Sequence, residues 1–241
     1  MNMKLDKSVV IPISLCDRDG KLSYPAHFSV FMDMASEHGP QIGLGLDDPA
    51  MKDLFWLTVK TKIRVYDRPN MLRQVAISTW PEKPGRVRTN RLYTIKDGDD
   101  LLAEGKTEWA LINTVTGKLV RFDSVYPKDL VHIDAPVSVS PFSKISEDFA
   151  EDQCIGSYTV CATDIDIGQH MNNAAYLRAL FGMLTNDLLK GRDIFEMEAV
   201  FKTPCYEGEV LKVYCREEDK LQLAMKKPDG TTALVAGITF K

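Results

Sequence analysis

The chain has 241 residues, 44% of them hydrophobic and 27% charged, with a formal net charge of −4. That is apolar content for one large core or two small ones, and the acidic balance excludes the global basic field of a nucleic-acid binder. Five cysteines with neither C-x-x-C spacing nor histidine partners read as reduced thiols of a cytoplasmic protein without metal or cofactor.

No stretch reaches the roughly 18 apolar residues of a membrane span, and nothing near the N-terminus has the apolar run of a signal peptide. Residues 8–15 (SVVIPISL) predict a strand. The Asp-Arg-Asp-Gly run at 17–20 predicts a turn. Pro25 suits the first turn of a helix whose Phe28, Phe31, Met34, Ala35 and His38 share a face, with Gly39-Pro40 as its end. A Gly-rich connection follows. From Phe55 the period changes to two, and 56–66, 74–82, 86–96 and 101–113 read as strands between Arg-Pro-Asn, Lys-Pro-Gly and Asp-Gly turns. Residues 132–152 are polar and aperiodic, a linker between domains at 1–131 and 153–241.

The second half repeats the order. A strand at 156–163 precedes a helix at 173–190, on which Ala174, Leu177, Phe181, Leu184 and Leu188 share a face and after which Gly191 is the stop. Strands follow at 197–205, 209–217, 220–227 and 231–240. Asp17-x-Asp19 pairs with Asp164-x-Asp166, and Tyr66-x-x-Pro69 with Phe201-x-x-Pro204. The chain therefore reads as a tandem duplication. Its class is α+β, with each half a helix packed on an antiparallel sheet.

The chemistry concentrates at 164–181, DIDIGQHMNNAAYLRALF. Two carboxylates, a lone histidine and a helix N-terminus capped by Asn fall within about one turn of chain. An acid can hold or activate water, and the helix N–H groups suit negative charge developing on a carbonyl oxygen. The same residues also suit turn and capping chemistry.

D-I-D followed by H-M-N-N-x-x-Y resembles the D-x-D-x-N-x-H-x-N-N-x-x-Y signature of the acyl-ACP thioesterases of bacteria and plants. Asp164, Asp166, Gln169, His170, Asn172, Asn173 and Tyr176 carry the likeness. Trp56, Arg68-Pro69, Thr79-Trp80 and Glu108-Trp109-Ala110 extend it over nearly the whole chain. The resemblance implies a tandem double hot-dog, each half a long helix on a curved antiparallel sheet. It implies a cytoplasmic hydrolase of fatty acyl thioesters on acyl carrier protein, active in fatty acid biosynthesis, that releases free acid and holo carrier protein. The carrier would be its partner, with no nucleic acid. Pairing two domains in one chain allows a monomer as well as a homodimer.

The resemblance assigns Asp166 to orienting water or a neighbouring amide, and His170 to general base or proton shuttle. Asn172 and Asn173 cap the helix and shape the substrate side of the loop. Asp164 reads as structural. The first half has Ser23 opposite His170 and keeps Asp17 and Asp19 as turn residues, so one site per chain follows. Phe28, Phe31 and Trp56 would then line an acyl pocket or simply fill the core.

Two positions depart from the pattern: Gly168 replaces an Asn, and Pro204 stands where the family places a Glu. Three readings follow. A reduced site works, helped by the helix N-terminus. Cys205, Thr203 or Glu207 stands in for the missing Glu, with Cys205 also a candidate nucleophile. Or the protein binds acyl thioesters with little turnover. An acyl-CoA thioesterase is a further alternative. Lys60, Lys62, Arg64, Lys83, Arg86, Arg88 and Arg91 are the basic residues available to dock an acidic carrier.

Overall fold

The structure, a computed structural model, describes residues 3–128, 130–185, 189 and 191–241. The chain divides into two compact units, Met1–Ser140 and Pro141–Lys241. In the first, β1 (Leu5–Val10) is followed by α1 (Tyr24–Gln41), β2 (Leu54–Val65), β3 (Gln74–Pro81), β4 (Thr89–Asp97) and β5 (Asp100–Asn113). The strands form an antiparallel sheet in the order β1-β3-β4-β5-β2. The second unit has β6 (Cys154–Thr159), α2 (Asn173–Gly182), β7 (Ile194–Phe201), β8 (Val210–Glu217), β9 (Leu221–Lys226) and β10 (Thr232–Phe240). Its order, β6-β8-β9-β10-β7, is the same topology.

Alternation sets the inner faces. Ile63, Ile77 and Ile95 of the first sheet are fully buried together with Phe28 and Phe31 of α1. Burial of each such side chain contributes about 1.5–3 kcal/mol. Phe31 stacks on Tyr93 at 4.6 Å and lies over Gly105, where a Cβ would come within 2.5 Å of its ring. In the second unit Tyr176 of α2 meets Phe201 edge-on at 6.1 Å. Among the described residues no helix is long and apolar enough to cross a membrane.

Four of the boundaries that differ from the sequence expectations trace to two prolines and two glycines. The strand expected over 8–15 lies at Leu5–Val10, because Pro12 cannot donate to the ladder and opens a 3-10 turn at Ile13–Leu15 instead. The strand expected over 197–205 stops at Phe201, ahead of Pro204. Gly39-Pro40 does not end α1. Pro40 sits in its last turn, and the stop comes from Gly43 (φ +71°), with Gly43 N–H bonding Pro40 O at 3.3 Å and Leu44 N–H bonding Gly39 O at 2.9 Å. The second helix, expected to be long, ends at Gly182, a poor helix former. Leu184 is buried beyond it, while Leu188 and Lys190 lie outside the described residues.

The segment 131–150, within the expected linker, has no regular structure but is tied down. Ala135 O accepts from Trp80 Nε1 at 3.1 Å, and Ser138 N–H donates to Glu104 at 2.9 Å. Farther on, Ser143 N–H donates to Glu198 at 2.9 Å and Ile145 packs with Tyr214, Ala224 and Val235.

Candidate active site

The loop that enters each helix is the same piece of backbone. In the second unit a 3-10 turn at Ala162–Asp164 leads to a bridge between Ile165 and Met171, and Asn172 caps α2. Asp166 N–H bonds His170 O at 3.2 Å, Gln169 N–H bonds Asp166 O at 3.0 Å, and Met171 N–H bonds Cys205 O at 2.7 Å. In the first unit the bridge joins Cys16 and Leu22, and the matching bonds are Asp17 to Lys21, Gly20 to Asp17, and Leu22 to Pro69. This register corrects the pairing read from Asp-x-Asp. Asp166 corresponds to Asp17, Gly168 to Asp19, His170 to Lys21 rather than Ser23, and Pro204 to Arg68.

Asp166 is half-buried and its carboxylate is fixed at both oxygens. Oδ1 accepts from Gly168 N–H at 2.7 Å, and Oδ2 accepts from Asn172 Nδ2 at 3.0 Å. Both donors are neutral. Asn172 turns its other amide atom to the helix, where Oδ1 accepts from Ala174 N–H at 2.8 Å. One side chain therefore sets both the carboxylate and the helix N-terminus. Gly168 contributes a main-chain N–H where the family pattern has a side-chain amide. Asn173 is the first residue of α2, half-buried.

His170 is half-buried, with Nδ1 3.3 Å from Met171 O. A carbonyl partner makes Nδ1 the protonated nitrogen, so the neutral ring carries its lone pair on Nε2. Gln169, just before it, adopts φ +61°, where the first unit has Gly20 at φ +69°. An L residue in that region is strained by about 1–2 kcal/mol.

Asp164 is structural. It is buried and accepts Tyr158 Oη at 2.7 Å and Cys161 N–H at 2.9 Å. Burial and this carboxylate push the Tyr158 phenol up to about 12. Cys205 is fully buried, and burial pushes its thiol above the usual range. A protonated, enclosed thiol is a poor nucleophile; what Cys205 gives the loop is its carbonyl. Thr203 O accepts from Tyr176 Oη at 3.3 Å, and Glu207 is exposed. A carboxylate not singled out from the sequence, Glu209, lies nearby, bonded to Tyr206 N–H at 3.0 Å and Lys227 Nζ at 3.0 Å. Those partners outweigh its burial and hold it below the usual carboxylate range. Its sequence signal was the pairing of acid and lysine on adjacent strand ends.

The other expected residues lie in the first unit. Phe28 and Phe31 are core. Trp56 donates from Nε1 to Leu44 O at 3.1 Å and packs against Trp109 and Phe122. The expected basic surface is broken up. Arg91 and Lys62 are buried, while Lys60 and Arg88 both approach Glu108, at 3.7 and 3.6 Å. Lys83 and Arg86 stay exposed.

A model of the acyl-ACP thioesterase N-terminal domain matches residues 2–128, and one of the C-terminal domain matches residues 147–235. The chain belongs to the acyl-ACP thioesterase family. It is 25% identical over 229 residues to the chloroplastic oleoyl-acyl carrier protein thioesterase of Coriandrum sativum, covering 88% of this chain and 62% of that one. It is 22% identical to oleoyl-acyl carrier protein thioesterase 2 of Arabidopsis thaliana, covering 82% of this chain and 59% of that one. The chain thus spans about three fifths of these relatives. An acyl-ACP thioesterase structure from Bacteroides thetaiotaomicron superposes with a TM-score of 0.87 at 20% identity, covering 100% of this chain and 98% of that one. The 12:0-ACP thioesterase of Umbellularia californica does so at 0.81 and 17%, again over 100% and 98%. The fold is therefore the tandem hot-dog of this family, a helix on an antiparallel sheet twice over.

Proposed function

We propose that this acyl-ACP thioesterase family member hydrolyses fatty acyl thioesters on acyl carrier protein, with Asp166 and His170 as its chemical groups. The observation that carries this reading is the Asp166 carboxylate, held by two neutral donors on a loop that also presents His170 and the start of α2. Asp166 orients the attacking water. The Nε2 lone pair of His170 takes a proton from that water as its oxygen bonds the acyl carbon. N–H groups at the start of α2 favour the negative charge that builds on the carbonyl oxygen. When the carbon–sulfur bond breaks, the thiolate takes the proton from His170, which leaves a free acid and the carrier thiol. Cys205 is given no covalent role.

An acidic carrier is the partner in this reading, met by the exposed Lys83 and Arg86 on the β3–β4 connection. A reducing, cytoplasmic setting belongs to the same reading, supported by five free thiols.

The test is thiol release from acyl carrier protein and CoA thioesters by wild type, His170→Ala and Cys205→Ala. His170→Ala is expected to lose about 100-fold or more in kcat, and Cys205→Ala to retain activity. Tight acyl carrier binding with no turnover above the His170→Ala background contradicts the hydrolase reading and leaves a binding protein.

A further inference from the structure

The inner face of the first sheet is apolar at one end and polar at the other. Three adjacent strands bring the polar groups together by register. Thr79 stands opposite Tyr93, Arg91 opposite Thr107, and Thr107 opposite Thr61. All five are buried, and α1 adds the buried His38 above them. The hydroxyls of Thr61 and Thr107 satisfy each other at 3.0 Å, and Thr79 Oγ1 donates to Leu92 O at 3.0 Å.

The rest of the cluster is not balanced. Arg91 Nη1 lies 2.9 Å from His38 Nδ1 and 3.4 Å from Thr79 Oγ1, and both contacts start from that one nitrogen. Among the described residues no carboxylate pairs with Arg91. The acids of the neighbouring strand are engaged elsewhere, Glu104 by Tyr66 and Ser138, Glu108 by Lys60 and Arg88. A guanidinium cannot shed its proton to escape burial, and an uncompensated buried charge is costly. Beside it, Tyr93 Oη and Trp109 Nε1 are buried and outside full hydrogen-bond geometry, with Tyr93 Oη approached by the Thr107 and Trp109 side chains. Burial pushes the Tyr93 phenol up to about 12, so it remains a donor.

One buried cation without a carboxylate, beside two loosely engaged neutral donors, calls for a small planar anion, which a guanidinium fork can grip at two oxygens. The neighbouring part of the same face is hydrocarbon: Phe31, Ile63, Ile77 and Ile95. We propose that the first unit contains a binding site for the carboxylate of a hydrocarbon-chain acid, gripped by Arg91 and completed by the Tyr93 hydroxyl and the Trp109 N–H. Two sources share this chemistry. One is a free fatty acid, the product class of the hydrolase reading and dependent on it. The other is the remote carboxylate of a dicarboxylic acid carried as a monothioester.

Equilibrium binding of dodecanoate against dodecan-1-ol tests the site without any turnover, so it stands or falls apart from the hydrolase reading. Wild type is expected to prefer the acid by about tenfold or more, as for a charge-assisted contact. Arg91→Met should erase the preference, and Tyr93→Phe, which keeps the ring and its stacking, should weaken acid binding several-fold. Arg91→Met should also raise the thermal midpoint of the ligand-free protein, since it removes an unpartnered buried charge. Hydrolysis of a dodecanedioyl monothioester against a dodecanoyl thioester separates the sources: a gain for the dicarboxylic substrate assigns the site to the chain's far end, no gain assigns it to the free acid. Equal binding of acid and alcohol by wild type overturns the proposal, as does an acid preference that survives in both Arg91→Met and Tyr93→Phe.

Discussion

Asp17 and Asp166 occupy the same place in two copies of one loop, and each accepts a main-chain N–H two residues on, from Asp19 at 3.0 Å and from Gly168 at 2.7 Å. Their second partners differ. Asp17 is closed by Arg68, whose side chain is 10% exposed, also reaches Asp19 at 3.6 Å and covers the Tyr24 ring at 4.6 Å. Among the described residues, Asp166 has the Asn172 amide in that place. The position that supplies Arg68 in one copy supplies Pro204 in the other. Lys21, opposite His170, is spent on Asp67 at 3.1 Å. A carboxylate locked to a guanidinium has its oxygens and its charge taken up by that partner; one held by neutral amides has no cation against it. Under the proposed mechanism, duplication thus leaves one loop as a structural clasp and the other as the reactive one.

Converting the second loop into the first should have the largest effect. Pro204→Arg places a guanidinium where it can clamp Asp166, and kcat is expected to fall by about 100-fold or more with the fold intact by circular dichroism. Full activity in that variant would break the comparison.

Beneath the clasp, His27 is fully buried and its Nδ1 meets Ser23 O at 2.9 Å, with burial pulling its pKa down to about 4. A folded pKa below the unfolded value near 6.5 means that the unfolded chain binds more protons between those two points. Stability is therefore complete above pH 6.5 and declines as pH falls toward 4, by about 3 kcal/mol over the window. Urea melts across that range should show the decline in wild type and a flatter profile in His27→Gln. The second unit has Tyr176 at this place, and its phenol, pushed up by burial, carries no such acid sensitivity.

Removing the clasp itself should cost less. Arg68→Met leaves Asp17 without its cation, and a loss of about 1–3 kcal/mol is expected with kcat unchanged. The smallest effect concerns the left-handed residue before Lys21 or His170. Gln169→Gly should raise stability by up to about 1 kcal/mol, and Gly20→Gln should lower it by a similar amount. Thermal melts that move both variants the same way would argue against equivalent backbones.

Strand periodicity and turn residues made most of the architecture legible, because every sheet has one buried face and the alternation follows it. Boundaries failed where a proline or glycine acted at a point that propensity does not weigh, as at Pro12 and Gly182. The pairing of the halves failed for a different reason. Asp-x-Asp looks the same at 17–19 and at 164–166, but the backbone bonds that Asp17 makes are those of Asp166. Arg91 reads as a surface charge in a basic run, yet it shares parity with Tyr93 and Ile95 on β4, and that parity was the available signal. Asp166, His170 and Asn172 were visible as a group from their spacing. The role of Pro204 was not, since it depends on what Arg68 does in the other copy.

Single-turnover hydrolysis of an acyl carrier protein thioester by Asp166→Asn beside Asp17→Asn tests the division of labour most directly. Asp166→Asn is expected to slow the reaction by about 100-fold or more, while Asp17→Asn leaves the rate at the wild-type value. Equal losses in the two variants, or wild-type turnover in Asp166→Asn, would contradict it.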